Sequence, residues 1–375
     1  MYNPIAPGDS ISSTWGNAVE KALGYGTPAQ PYSYTIWKTG STYYARNGIT
    51  GERTTNDSLK TLMNDAILAL YGSDVGTGGS IFLNPGVYYV DGTINMRPGV
   101  HVFGSGRMGS DAWLVASKTL SNTLISATTD APIFSFNFPA QGYHSGVHFM
   151  GLTGDSNVAS YPLIDISCDS ASMGDIFLDD ISMSSGKYGI RVYNNHASNL
   201  IWNVFIERCF IEAFDYNAIR FDSPTDKGIF QCRLLRNHFY GNNISGGNGA
   251  IEIEGHETRG SVIAHNTFEL ENRHGIYLTD EADGWVISDN IIIDCGQLIT
   301  NTYSGINLND VDLCSVTGNV SIYRANNKMK YGYYADNNCT YLAVLGNVFK
   351  GQTAGAVFGT GTGNIGDATM NVSTT

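Results

Sequence analysis

The sequence predicts an all-β solenoid, one elongated stack of short-stranded coils. Three observations carry this. First, an asparagine recurs in similar surroundings: Asn237 in LLRNHF, Asn266 in IAHNTF, Asn290 in ISDNII, Asn319 in SVTGNV and Asn347 in AVLGNVF. The gaps between them are 29, 24, 29 and 28. Extended upstream, the same frame runs through Arg208, Asp180 and Gly151. Second, a separate beat of short apolar strands falls between these: LIDI at 163, GIRV at 189, AIRF at 218, AIEI at 250, GIYL at 275, GINL at 305, GYYA at 332 and GAVF at 355. Third, 44 glycines, 22 tyrosines and 16 phenylalanines with only 15% charged residues make a turn-rich β composition. A period of this length built from β segments means stacked coils.

The elements follow in chain order. Residues 1–30 form a leader: loop, then a short helix with Ser12 or Ser13 near its N-cap, then a PAQP linker at 28–31. YTIWKTGSTYYARNG alternates as a β-hairpin about a Thr39–Gly40 turn. Over 56–71, Leu59, Leu62, Met63, Ala66, Ile67 and Leu70 share one face at helical period. A solenoid exposes an apolar end, and this helix is its natural lid. Residues 31–107 thus hold hairpin, capping helix and first coils, with Asn-Pro-Gly and Arg-Pro-Gly turns between strands. Coils fill 108–360, less regular before 146, with IFSF at 133–136 as a strand. The polar tail, 361–375, is a frayed end or a strand for a partner subunit.

The net charge of −13 lacks the basic footprint of a nucleic-acid binder. Six cysteines, none in a CxxC pair, read as free buried thiols. They suit folding in a reducing compartment. The N-terminus shows no basic and apolar signal-peptide pattern, and no window has the apolar length of a membrane span.

Alternate side chains of a strand face opposite sides. Aligning the second beat puts Ile190/Val192, Ile219/Phe221, Ile251/Ile253, Ile276/Leu278 and Ile306/Leu308 inside. One outer column then reads Asp165, Arg191, Arg220, Glu252, Tyr277, Asn307, Tyr334, and the next Ser167, Tyr193, Asp222, Glu254, Thr279, Asn309, Asp336. Aromatic faces beside carboxylates, amides and guanidiniums suit a sugar chain. Asp222, Glu252 and Glu254 are the candidate catalytic carboxylates. Arg191, Tyr193, Arg220, Tyr277, Asn307 and Tyr334 are the candidate substrate-binding residues. Neighbours in one column are about 4.8 Å apart, and residues two apart in a strand about 6.5–7 Å. These spacings overlap the carboxylate separations of retaining and inverting glycosidases. In the competing reading, Arg220 bridges these carboxylates as cross-strand salt bridges.

A further column, Asp179, Glu207, Arg236, His265, Asp289, reads as an ion-pair ladder. Asp179 with Asp180 offers oxygen ligands for Ca²⁺, but the pair reads as turn-capping. No metal site and no cofactor are predicted. The asparagines read as turn residues tolerant of left-handed geometry, and Phe210, Phe239, Phe268 and Phe349 as a core stack. His256, Glu257 and Asp283 lie in loops within reach of a ligand on the outer columns.

The helix, GGSIFLNPGVYYV, PGVHVFGSGR and the asparagine turns together resemble the right-handed parallel β-helices of the pectate-lyase-like superfamily over roughly 33–360. The resemblance implies a right-handed, single-stranded parallel β-helix with an N-terminal capping helix. The lyase and polygalacturonase catalytic motifs are missing as sets; LDD at 178–180 and EGHE at 254–257 are fragments. The segment NPIAPGDSISSTWGNAVEKAL is similar to leaders of phage tail appendage proteins. That resemblance implies a viral tailspike or tail-fibre-like protein. Such a protein attaches to the virion through residues 1–30, forms a homotrimer and is made in the host cytoplasm. Its partner is a host-surface polysaccharide, which it binds, with cleavage by hydrolysis or elimination left open. The alternatives are a non-catalytic structural or receptor-binding virion component, and a secreted or cell-surface cellular polysaccharide lyase or glycoside hydrolase.

Overall fold

The computed structural model describes residues 32–72, 78–106, 122–154, 160–196, 198–224, 228–255, 258–324, 329–358 and 372–374. The leader, its short helix and PAQP linker, and most of the tail lie outside the described residues, as do His256 and Glu257.

The chain folds as the predicted parallel β-helix, and parallel strands joined by such crossovers run right-handed as a rule. Each coil contributes to three walls. In one coil these are Arg233–Leu235 on the first wall, His238–Tyr240 on the second and Gly249–Gly255 on the third. The third wall is a ten-stranded parallel sheet from Ile94–Asn95 to Gly355–Phe358. Its interior columns are those predicted: Ile164, Ile190, Ile219, Ile251, Ile276 and Ile306 pair in succession. Beside them run Ile166, Val192, Phe221, Ile253, Leu278 and Leu308, all at 0% exposure. Each large side chain so buried contributes about 1.5–3 kcal/mol.

The helix at Leu59–Tyr71 closes the N-terminal end. Ser58 caps it, its Oγ accepting from the Thr61 amide at 3.3 Å. Leu59, Leu62, Met63, Ala66 and Ile67 are buried against the first strands and Leu70 is partly buried, so the predicted face is the buried face. The hairpin, Tyr34–Thr39 with Thr42–Asn47, turns one residue later than expected, at Gly40–Ser41, because Thr39 pairs with Thr42 and Gly40 takes the left-handed φ of 61°. In the tail, Val372–Thr374 pairs with Val348–Lys350 of its own chain and extends the second wall.

The asparagine beat is the corner between first and second walls. Each amide Nδ2 donates to the Oδ1 of the next coil: Asn237 to Asn266 at 3.0 Å, Asn266 to Asn290 at 3.0 Å, Asn290 to Asn319 at 2.9 Å and Asn319 to Asn347 at 3.0 Å. The left-handed residue is the one before each asparagine: Arg236, His265, Asp289, Gly318 and Gly346 have φ of 55–67°. The expectation that asparagine itself takes this geometry is therefore corrected: it sits inside, where its amide completes the corner's hydrogen bonds.

The upstream frame is shifted by one. Phe210 pairs with His238 and Ser182 with Phe210, so Cys209 and Ile181 occupy the asparagine position, not Arg208 and Asp180. The Cys209 amide accordingly donates to Asn237 Oδ1 at 2.9 Å. Likewise Met150 pairs with Ile181, so Gly151 lies one residue past it. Carrying the longest downstream gap back from Asn237 overshoots this register by one. Phe210 consequently points outward against His238 and does not join the core stack; Phe239 and Phe268 do stack, at 4.6 Å. For the same reason Asp179 pairs with Glu207, but Leu235, Ala264 and Ser288 continue that column in place of Arg236, His265 and Asp289. The six cysteines are free and buried.

Candidate functional site

The outer columns of the third wall stand as predicted. Arg191 pairs with Arg220, Arg220 with Glu252, Glu252 with Tyr277, Tyr277 with Asn307 and Asn307 with Tyr334. Tyr193 pairs with Asp222 and Asp222 with Glu254. The register therefore brings the candidate residues onto one face. They differ in what each can do there.

Arg220 is the hub. Its Nη1 donates to Glu252 Oε1 at 3.2 Å, and its Nη2 to Glu254 Oε2 at 2.6 Å and Asp222 Oδ2 at 3.4 Å. The last two oxygens share one nitrogen, which holds the two carboxylates close together. Burial alone would depress the guanidinium, but Glu252, Asp222 and Glu254 together raise its pKa. Cross-strand bridging by Arg220 is thus what the structure displays.

Glu252 is a different group from its neighbours, with a side chain only 2% exposed. It accepts from Asn217 Nδ2 at 2.7 Å, the Asn248 amide at 2.5 Å and Asn248 Nδ2 at 3.2 Å as well as from Arg220. Its acceptor capacity is spent inside the protein. Glu254, by contrast, is 37% exposed, and Asp222 is 25% exposed. Burial raises the Glu254 carboxyl above its ordinary range, Arg220 opposes this, and Asp222 and Glu252 add to it.

The flanking groups complete the face. Arg191 grips Asp165 through two nitrogens at 2.8 and 3.1 Å and lies over the Tyr193 ring at 5.2 Å. Tyr277 stacks on His274 at 5.5 Å, and Tyr334 on Tyr331 at 5.6 Å. Burial lowers His274 to about 4, so its ring is neutral at neutral pH. Its Nδ1 lies 2.8 Å from the Ser304 amide nitrogen and 3.2 Å from Ser304 O, and its Nε2 lies 3.3 Å from Asn307 Nδ2. Asp283 accepts the Asp312 amide at 2.7 Å and caps a corner.

A second concavity lies on the first wall, away from the candidate catalytic and substrate-binding residues. It is a groove of about 330 Å³ lined by His148, Phe177, Asp179, Phe205, Arg208 and Arg233 with Leu178 and Glu207. The sequence does hold a signal for it: Phe177, Phe205 and Arg233 follow one another at equal spacing. Phe177 and Phe205 stack at 5.0 Å, and Arg233 covers the outer Phe205 face at 5.5 Å. Arg208 binds Asp179, Asp180 and Glu207 together. The two aspartates thus serve an ion-pair cluster, and among the described residues no group of His, Cys, Asp and Glu gathers as a metal site.

Residues 164–349 match the family described as the right-handed beta helix region. No curated protein sequence matches the chain. Its fold is similar to that of pre-mature bacteriophage phi29 gene product 12, at 11% identity and TM-score 0.52, covering 95% of this chain and 53% of that one. It is likewise similar to the N-terminal fragment of that gene product, at 13% identity and TM-score 0.50, covering 83% and 63%. The A-module of Azotobacter vinelandii mannuronan C-5 epimerase AlgE6 is also similar, at 14% identity and TM-score 0.47, covering 85% and 96%. At such identities the likeness concerns the fold alone: the chain is a right-handed parallel β-helix.

Proposed function

We propose that this right-handed parallel β-helix protein is a viral tailspike or tail-fibre-like component that binds a host-surface glycan along the outer face of its third wall. One observation carries the reading. Tyr193, Asp222, Glu254, Arg191, Arg220, Tyr277, Asn307 and Tyr334 stand in register on adjacent rungs of one sheet. That gives a rigid strip of ring faces, carboxylates and an amide at strand spacing, the repeat a linear sugar chain can follow. Glu252 orients Arg220 from beneath, and Asp222 and Glu254 present acceptors for hydroxyls. Attachment to the virion through residues 1–30 and assembly as a homotrimer belong to the same proposal, supported by the leader's resemblance to phage tail appendage proteins.

Cleavage is the second reading, favoured by Glu254. Its carboxyl is raised, partly in solvent, and shares one Arg220 nitrogen with Asp222. A raised carboxyl beside a second one is the arrangement of a general acid with its partner. Against it, Arg220 ties both groups in ion pairs, which is the chemistry of a binding face.

Reducing-end release and 4,5-unsaturated uronate absorbance on a host polysaccharide panel, for wild type and Glu254→Gln, separate the two. Binding retained with no release from any glycan supports the binding component. Release lost in Glu254→Gln establishes cleavage. No binding to any glycan in the panel sinks the proposal.

A further inference from the structure

The groove on the first wall has features that an ion-pair cluster alone does not require. His148, which lines it, meets His101, Nε2 to Nδ1 at 3.0 Å. They do so over Gly146, where a Cβ would stand 2.6 Å from His148 Nε2 and 3.0 Å from His101 Nδ1. The imidazole pair therefore depends on a glycine beneath it. One of the two imidazoles donates across this contact and the other accepts. The second ring nitrogen of His148, Nδ1, lies outside this contact. Burial lowers His148 to about 4, so it is neutral at neutral pH.

Phe177 and Phe205 line the same groove, each covering one face of the other, with Arg233 over Phe205. Between them lie Asp179, held by Arg208, and Glu207. The lining holds two carboxylates, Asp179 and Glu207, and two guanidiniums, Arg208 and Arg233, and Arg208 is further paired with Asp180, so a ligand carboxylate gains no net attraction here. The volume of about 330 Å³ falls at the small end of the roughly 300–1,000 Å³ usual for small-molecule sites. Convergent acceptors, an apolar rim and a neutral imidazole are the groups that hold a hydroxylated ring.

We propose that this groove is a second saccharide site, separate from the third-wall face. It takes a pyranose that carries no carboxylate, its hydroxyls bonded by Asp179, Glu207 and His148 and its C–H edge against Phe177 and Phe205. The full chain is titrated by NMR with glucose, galactose, mannose, N-acetylglucosamine and glucuronate in turn. Saturation transfer and the His148 imidazole resonances are followed. At least one uncharged sugar is expected to shift the His148 signals, with glucuronate silent at neutral pH. Phe205→Leu should weaken that binding roughly 3–10-fold, the worth of an aromatic contact, and Glu207→Gln should weaken it too. Glu254→Gln, on the other wall, should leave it in place, so failure of the third-wall reading and of this one are distinguishable. The proposal is overturned if no uncharged sugar moves His148 in the wild type, or if glucuronate binds as well. It is also overturned if Phe205→Leu alters sedimentation and not sugar binding, since a second copy of the chain would then cover the groove.

Discussion

Single residues decide each corner of this solenoid. Asn290 donates to Ile263 O and to Asn319 Oδ1, and its own Oδ1 accepts both the amide and the side chain of Asn266. Truncation leaves these partners buried and unpaired, at about 1–3 kcal/mol for each unsatisfied group. Asn290→Ala is therefore expected to lower unfolding stability by about 3 kcal/mol in a denaturant titration. The preceding position tests a different force. Gly346 has φ of 67° and open space where a Cβ would stand, so strain alone opposes substitution. Gly346→Ala should cost about 1–2 kcal/mol while Gly346→Asn stays close to wild type, as thermal unfolding of both would show. The asparagines are legible in the sequence because they recur. That the left-handed residue precedes them is not, since Arg236, His265 and Asp289 share no chemistry, only a backbone angle.

At the scale of elements, the corner between second and third walls carries a buried switch. Glu271 accepts the Asn242 amide at 2.8 Å and Asn242 Nδ2 at 3.1 Å in full burial. Burial raises its carboxyl from 4.5 to about 8, with the Asn242 bonds opposing. The folded state thus holds this proton more tightly, so the stability it contributes is complete below 4.5 and is lost as pH rises towards 8. His274 runs the other way: lowered from 6.5 to about 4, it contributes above 6.5 and loses that contribution as pH falls to 4. Between 6.5 and 8 only Glu271 of this pair titrates. Unfolding stability should decline across that window, and Glu271→Gln should flatten the decline. A pH-independent wild type would refute the assignment. Glu271 has no counterpart in the asparagine beat. Only packing shows it to be buried.

The whole molecule is a stack in which each coil rests on its neighbours, and long-range strand pairing supplies the order. If the chain works as the proposed homotrimer, sedimentation equilibrium will give three times the mass of 40.5 kDa. A monomer at micromolar concentration would count against the tailspike reading while leaving the fold untouched. The face chosen for glycan binding is legible because side chains alternate along every strand, so one correct alignment of GIRV, AIRF and AIEI sorts inside from outside across the wall. The same reasoning places Asp222, Glu252 and Glu254 together but makes them equals. Tertiary contacts separate them: Asn217 and Asn248 enclose Glu252, whereas Glu254 keeps part of its carboxylate in solvent.

Periodicity in the chain was enough to determine the solenoid, its capping helix and the outward columns of the third wall, because repeating units must stack to bury their apolar faces. The register of the upstream coils was settled only by the folded molecule, where Cys209 and not Arg208 lies beneath Asn237. Packing alone closed Glu252 within its neighbours. It also opened the groove beside His148, since a glycine at 146 and an imidazole at 101 meet only when separate coils are laid one on another.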